Sequence, residues 1–138
     1  MAQVRKSKRP ATAEMRSLTD VEWVIMDAVW RKEPCAAGTV QEALEVQYGW
    51  AYSTVKTTMD RMVAKGLLVT KSIRNLQLFS SAITRDDARR VELRQLLKRA
   101  FDGALTPMIQ FLVEKEELST TEVKELREML TTAKRRKP

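Results

Sequence analysis

At 138 residues, with a single cysteine and no histidine, the chain suits one domain or two small ones sharing a core. That inventory excludes an internal disulfide and removes the histidine-dependent nucleophilic and zinc chemistries. The net charge of +7 resides in the ends: residues 1–16 carry five basic side chains against one acidic, Lys134–Lys137 add four basic ones, and the sequence between them is nearly neutral. Bulk charge therefore does not locate a nucleic-acid face.

Hydrophobic residues at 43% and charged residues at 31% suffice for a packed interior, and only 4 Gly and 4 Pro interrupt it, which favours helices. No apolar run approaches the length of a membrane span, and the N-terminus lacks the apolar centre of a signal peptide, so a cytoplasmic protein without membrane insertion is expected. Acidic residues fall on polar helix faces beside Lys or Arg, the pattern of a solvated surface. No enzyme, metal or cofactor is expected from them.

In chain order, residues 1–16 have scattered cations, a Pro and little apolar content, which predicts a flexible basic arm that aids solubility or follows phosphates. Thr19 with Glu22 fits a capping box, and Leu18 with Trp23 a hydrophobic staple, so a first helix starts near Asp20. Val24, Ile25, Ala28 and Val29 give its apolar stripe, and Pro34 ends it. Trp23 and Trp30, seven residues apart, are read as core anchors. Cys35 has nothing basic directly beside it to activate it and is read as a buried structural thiol. Thr39–Tyr48 predicts a second helix around Val40, Ala43 and Leu44, closed by Gly49.

Residues 52–65 predict a third helix ending at Lys65-Gly66. Val55, Met59, Met62 and Val63 recur at helical spacing and face the core. Ser53, Thr54, Lys56, Thr57, Thr58, Arg61 and Lys65 are the candidates for an outer face of short hydroxyls and cations. Such a face offers phosphate ligands, base-edge donors and methyls for thymine, whereas an ordinary solvated helix carries balanced Glu and Lys. Three helices on short turns, the third bearing this face, follow the helix-turn-helix plan. Leu67–Ser72 and Leu76–Ser81, separated by Ile73, Arg74 and Asn75, predict a hairpin wing with Lys71 and Arg74 near its tip.

From Thr84 the pattern changes. Thr84 and Asp87 open a long amphipathic helix broken at Asp102-Gly103; Thr106-Pro107 reads as the N-cap and first residue of a fifth helix, and Leu118, Ser119, Glu122 and Val123 begin a sixth. Three helices of this size have little core of their own, so residues 84–133 are expected to form a homodimer module. Leu97, Phe101, Leu105, Met108, Ile109, Leu112, Val123, Leu126, Met129 and Leu130 are its candidate contacts. The expected organisation is a basic arm (1–16), a winged-helix domain (17–83), a helical dimerisation domain (84–133) and a basic tail (134–138), in a mainly α fold. A winged-helix adaptor that binds protein instead of DNA is the alternative reading.

From about Leu18 to Leu130 the sequence resembles the penicillinase repressor (BlaI/MecI) family of bacterial regulators. LTDVEWVIMDAVW is similar to that family's opening helix, WAYSTVKTTMDRMVAKGLL to its recognition helix, and FDGALTPMIQFLVEKEELSTTEVKELREML to its dimerisation region. The resemblance implies a dimeric winged-helix repressor on a palindromic double-stranded operator. It puts Thr54, Lys56, Thr57 and Arg61 at operator-reading positions and Arg74 at the basic position of the wing. The wing departs from the family's Tyr-rich pattern, reading NLQLFSS. The resemblance also implies an upstream sensor protease, which in the resistance repressors leads to cleavage of an Asn-Phe bond; Phe111-Leu112 stands in that place here, which argues against that mode of induction. The cysteine cluster of the copper-responsive relatives is absent.

Overall fold

The computed structural model describes residues 16–116 and 118–136. The basic arm expected over residues 1–16 lies, apart from Arg16, outside the described residues, as do the last two residues of the expected basic tail. Six helices and one antiparallel hairpin follow in the order α1 (Asp20–Lys32), α2 (Ala37–Tyr48), α3 (Tyr52–Ala64), β1 (Leu68–Ile73), β2 (Leu76–Ser81), α4 (Arg85–Ala100), α5 (Leu105–Lys115) and α6 (Thr120–Arg136). This is the mainly α, winged-helix architecture anticipated from the sequence. The chain divides into two compact units, one up to Leu93 and one from Arg94.

In the first unit, Thr19 caps α1 through its hydroxyl, which accepts from the Glu22 N–H at 3.2 Å, while the Glu22 carboxylate accepts from the Thr19 N–H at 2.9 Å. This reciprocal cap satisfies donors that a helix start otherwise leaves unpaired. Ile25, Met26, Ala28 and Val29 of α1 then enter a core shared with Val40 and Leu44 of α2, Val55, Met59 and Met62 of α3, and Leu68 and Phe79 of the hairpin. Phe79 is the largest fully buried side chain, an apolar burial of about 2–3 kcal/mol that ties the hairpin to the helices. Trp23 and Trp30 meet edge to face at 6.1 Å between centroids and pack against this core, as expected of anchors.

Trp30 also joins the start of α4 to α1. Its indole N–H donates to the Ile83 carbonyl at 3.0 Å, and the Arg85 guanidinium lies 4.8 Å over its ring while donating to Asp27 at 2.8 Å. Cys35 is buried and makes an isolated antiparallel bridge to the hairpin: its N–H donates to the Phe79 carbonyl at 3.0 Å and its carbonyl accepts from the Phe79 N–H at 2.7 Å. Burial, with the nearby Glu33 carboxylate, pushes its thiol above the ordinary range, so at neutral pH it stays protonated and unreactive.

The bounds of α2, the hairpin and α5 differ from expectation. α2 begins at Ala37, two residues before Thr39, because Ala36 supplies a backbone cap that accepts from the Thr39 N–H at 3.0 Å. The hairpin loop is two residues, Arg74 and Asn75, with Ile73 paired to Leu76 inside the ladder. Both loop residues have positive φ, 51° and 67°, the mirror-image turn that matches strand twist in tight hairpins. α5 starts at Leu105 with Ala104 as cap, so Thr106 is not the N-cap; Pro107 is tolerated there because first-turn N–H groups need no helical partner.

In the second unit, α6 begins as expected: Ser119 and Glu122 form a capping box at 3.0 and 2.9 Å. It continues through Arg136, taking in Lys134 and Arg135. Phe101 and Phe111 meet edge to face at 5.9 Å, yet no residue of α5 is buried.

Candidate nucleic-acid interface

The third helix is held from both ends. Ahead of it, Tyr48 and Trp50 stack at 4.7 Å, and the Gln41 side-chain amide donates to the Trp50 carbonyl at 3.0 Å, so the three-residue connection from α2 is rigidly seated. Behind it, Gly66 takes φ 84°, and the Leu67 and Gly66 N–H groups donate to Met62 and Val63 at 2.9 and 3.0 Å. These two bonds close the helix in a left-handed cap that favours glycine. Val55, Met59 and Met62 are fully buried beneath it.

The outer face is narrower than a reading of residue types suggests. At about 100° per residue, Thr57 lies at its centre, Ser53, Thr54, Asp60 and Arg61 within about 60° of it, and Lys56, Thr58 and Lys65 at its margins. Ser53, Thr54, Thr57 and Arg61 are exposed, and Arg61 makes no ion pair among the described residues. The marginal candidates are engaged within the protein. The Thr58 hydroxyl donates to the Thr54 carbonyl at 2.8 Å. Lys56 donates to Asp60 at 2.8 Å, and this carboxylate raises the Lys56 ammonium above its ordinary value.

Lys65 reaches back to α1 and donates to the buried Glu22 carboxylate at 2.6 Å. Burial alone would raise the Glu22 pKa, but the Lys65 bond and charge together with the Thr19 N–H and hydroxyl hold it below its ordinary 4.5. Lys65 thus ties the end of α3 to the start of α1. Lys71 and Arg74 are exposed on the hairpin, Arg74 at the turn itself.

One residue of this face lies outside the sequence reading. Asp60 was passed over because the face was read for cations; its position four residues after Lys56 is the signal that marks it. Tyr52, with 52% of its surface exposed at the start of α3, lies about 140° from Thr57 and so off this face. No group of His, Cys, Asp and Glu suited to a metal ion occurs among the described residues, and none of their helices is long and apolar enough to cross a membrane.

Three helices, a hairpin that follows the third, and an outward face of hydroxyls and a guanidinium on that helix define a winged helix-turn-helix protein. The chain belongs to the penicillinase repressor family, whose sequence profile matches residues 18–132, and with that membership it is a DNA-binding transcriptional repressor. It is 26% identical over 113 residues to the methicillin resistance regulatory protein MecI of Staphylococcus aureus strain N315, covering 82% of this chain and 92% of that protein. The penicillinase repressor of Bacillus licheniformis is 26% identical over 120 residues, 87% of this chain and 94% of the relative. Among solved structures, a MarR family protein from Bacillus stearothermophilus superposes with a TM-score of 0.47 at 14% identity, over 97% of this chain and 84% of that one.

Proposed function

We propose that the protein represses transcription as a homodimer that reads a palindromic double-stranded operator, with one copy of α3 in each of two successive major grooves. The observation that carries this reading is the face of α3, where Ser53, Thr54, Thr57 and Arg61 stand exposed over a fully buried apolar stripe. Arg61 is assigned to a guanine edge or a phosphate, and Ser53, Thr54 and Thr57 to backbone oxygens and thymine methyls. Lys71 and Arg74 meet the flanking backbone. Lys56 acts together with Asp60, Thr58 at the margin, and Lys65 through its hold on α1. The role requires no catalytic chemistry and places the protein in the cytoplasm, at the nucleoid.

Support for the dimer comes from the second unit. Leu105, Ile109, Val123, Leu126, Met129 and Leu130 are each between 38% and 69% exposed in the single chain. Leu97, Phe101, Met108 and Leu112 are only partly covered. A helical unit with this much apolar surface open to water is completed by a second copy of itself. Two-fold symmetry then sets half-sites about 34–36 Å apart, one helical turn of DNA.

The test is a fluorescence-anisotropy titration of the purified protein on labelled genomic fragments over a series of salt concentrations, with light scattering in parallel. Saturable binding of a dimer to a subset of fragments, with log affinity falling linearly in log salt, is expected. Absence of binding to every fragment at low salt favours the protein-interaction adaptor, and a stable monomer at micromolar concentration removes the dimer.

A further inference from the structure

A carboxylate on a helix face that meets DNA calls for an explanation, because phosphates repel it. Asp60 sits on that face of α3, about 60° from Thr57 and on the side opposite Arg61. Its side chain is 48% exposed and accepts from the Lys56 ammonium at 2.8 Å, with Lys56 itself 31% exposed.

Helix stability accounts for the pair only weakly. Exposed pairs four residues apart favour the acid on the N-terminal side, in keeping with the helix dipole, and here the order is reversed: the cation precedes the acid. Attraction to the DNA backbone does not account for it, since the two charges largely cancel at a distance. A carboxylate at neutral pH only accepts hydrogen bonds, and the major groove offers it the exocyclic amino group of cytosine. The ammonium it holds keeps two further donors, suited to the O6 and N7 acceptors of a guanine.

We infer that Asp60 is a specificity-determining residue of α3, accepting from a cytosine N4 amino group in each half-site while it fixes Lys56 toward an adjacent guanine edge. This rests on the DNA-reading role proposed above for α3. Asp60 acts by selection and not by affinity: its charge lowers binding to all DNA, and the cytosine contact restores binding only where that base is present.

The experiment selects duplexes from a random pool with the full-length wild type, Asp60→Ala and Asp60→Asn. Affinities for the wild-type-selected duplex and for a scrambled duplex of equal composition are then measured by anisotropy. Asp60→Ala is expected to lose the cytosine preference at one position per half-site, to reduce the ratio of selected to scrambled affinity by about 5- to 140-fold, and to bind the scrambled duplex more tightly. Opposite shifts on the two duplexes do not arise from partial unfolding, which weakens both. Asp60→Asn, whose amide pairs well with adenine, is expected to move the preference from cytosine to adenine. An unchanged motif with an unchanged ratio, or a parallel loss on both duplexes, overturns the inference while leaving the role of α3 intact. A wild type that selects no motif overturns that role itself.

Discussion

Glu22 performs two tasks, and glutamine separates them. Its carboxylate caps the start of α1 through the Thr19 N–H and receives the Lys65 ammonium from the end of α3. Glutamine keeps the capping acceptor and removes the charge. Hydrogen bonds to charged groups contribute about 1.5–3 kcal/mol against about 0.5–1.5 for neutral ones. Lys65 is 57% exposed and solvent screens it, so Glu22→Gln is expected to cost about 1 kcal/mol. Glu22→Ala also removes the acceptor of the Thr19 N–H, while the Thr19 hydroxyl still caps the helix, and is expected to cost about 2 kcal/mol in all.

Urea unfolding at pH 7, followed by tryptophan fluorescence, measures both values. Equal losses in the two variants, or a loss under about 0.3 kcal/mol for glutamine, refute the two-task account. The pH dependence supplies the sign. Because the folded pKa of Glu22 lies below its ordinary 4.5, the ion pair's stability is fully present above that value and is lost as pH falls through the folded one. The gap between wild type and Glu22→Gln therefore closes on acidification below pH 4.5, and a gap that widens contradicts the assignment.

Other outcomes follow from the same structure. Trp30→Phe keeps the ring but leaves the Ile83 carbonyl without its indole donor, and is expected to lower stability by about 1 kcal/mol in urea unfolding. Replacing both turn residues, Arg74→Asn with Asn75→Gly, relieves two positive φ angles and is expected to raise stability by about 1 kcal/mol while weakening DNA binding through the lost guanidinium. Met129→Glu with Leu130→Glu places charge on exposed apolar positions of α6 and is expected to give a folded monomer by light scattering, with circular dichroism of the first unit retained.

The fold was largely legible because its signals are local. The Thr19–Glu22 and Ser119–Glu122 boxes, the left-handed glycines and the helical stripes each mark an element without reference to the rest of the chain. Where the start of an element depends on backbone groups alone, as at Ala36 and Ala104, no side chain announces it and the boundary shifts. Cys35 pairing with Phe79 depends on two positions far apart in sequence, and periodicity carries no record of such contacts.

The candidate interface was legible in outline only. Spacing placed Thr54, Thr57 and Arg61 on one face. It did not reveal that Lys65 is held by a carboxylate on α1 and Lys56 by one on its own helix. The partner of Lys65 comes from another element and is invisible until the chain is folded, whereas that of Lys56 lies four residues on along its own helix.

The central claim is that α3 reads DNA through its exposed face, and Arg61 is the side chain there best placed to show it. The most direct measurement is the affinity of Arg61→Ala, relative to wild type, for the duplex the wild type selects from a random pool, with circular dichroism on the same samples. A loss of about 1–3 kcal/mol at one base position, with the helical signal unchanged, is the predicted result. Equal affinity of the two proteins for that duplex would contradict it.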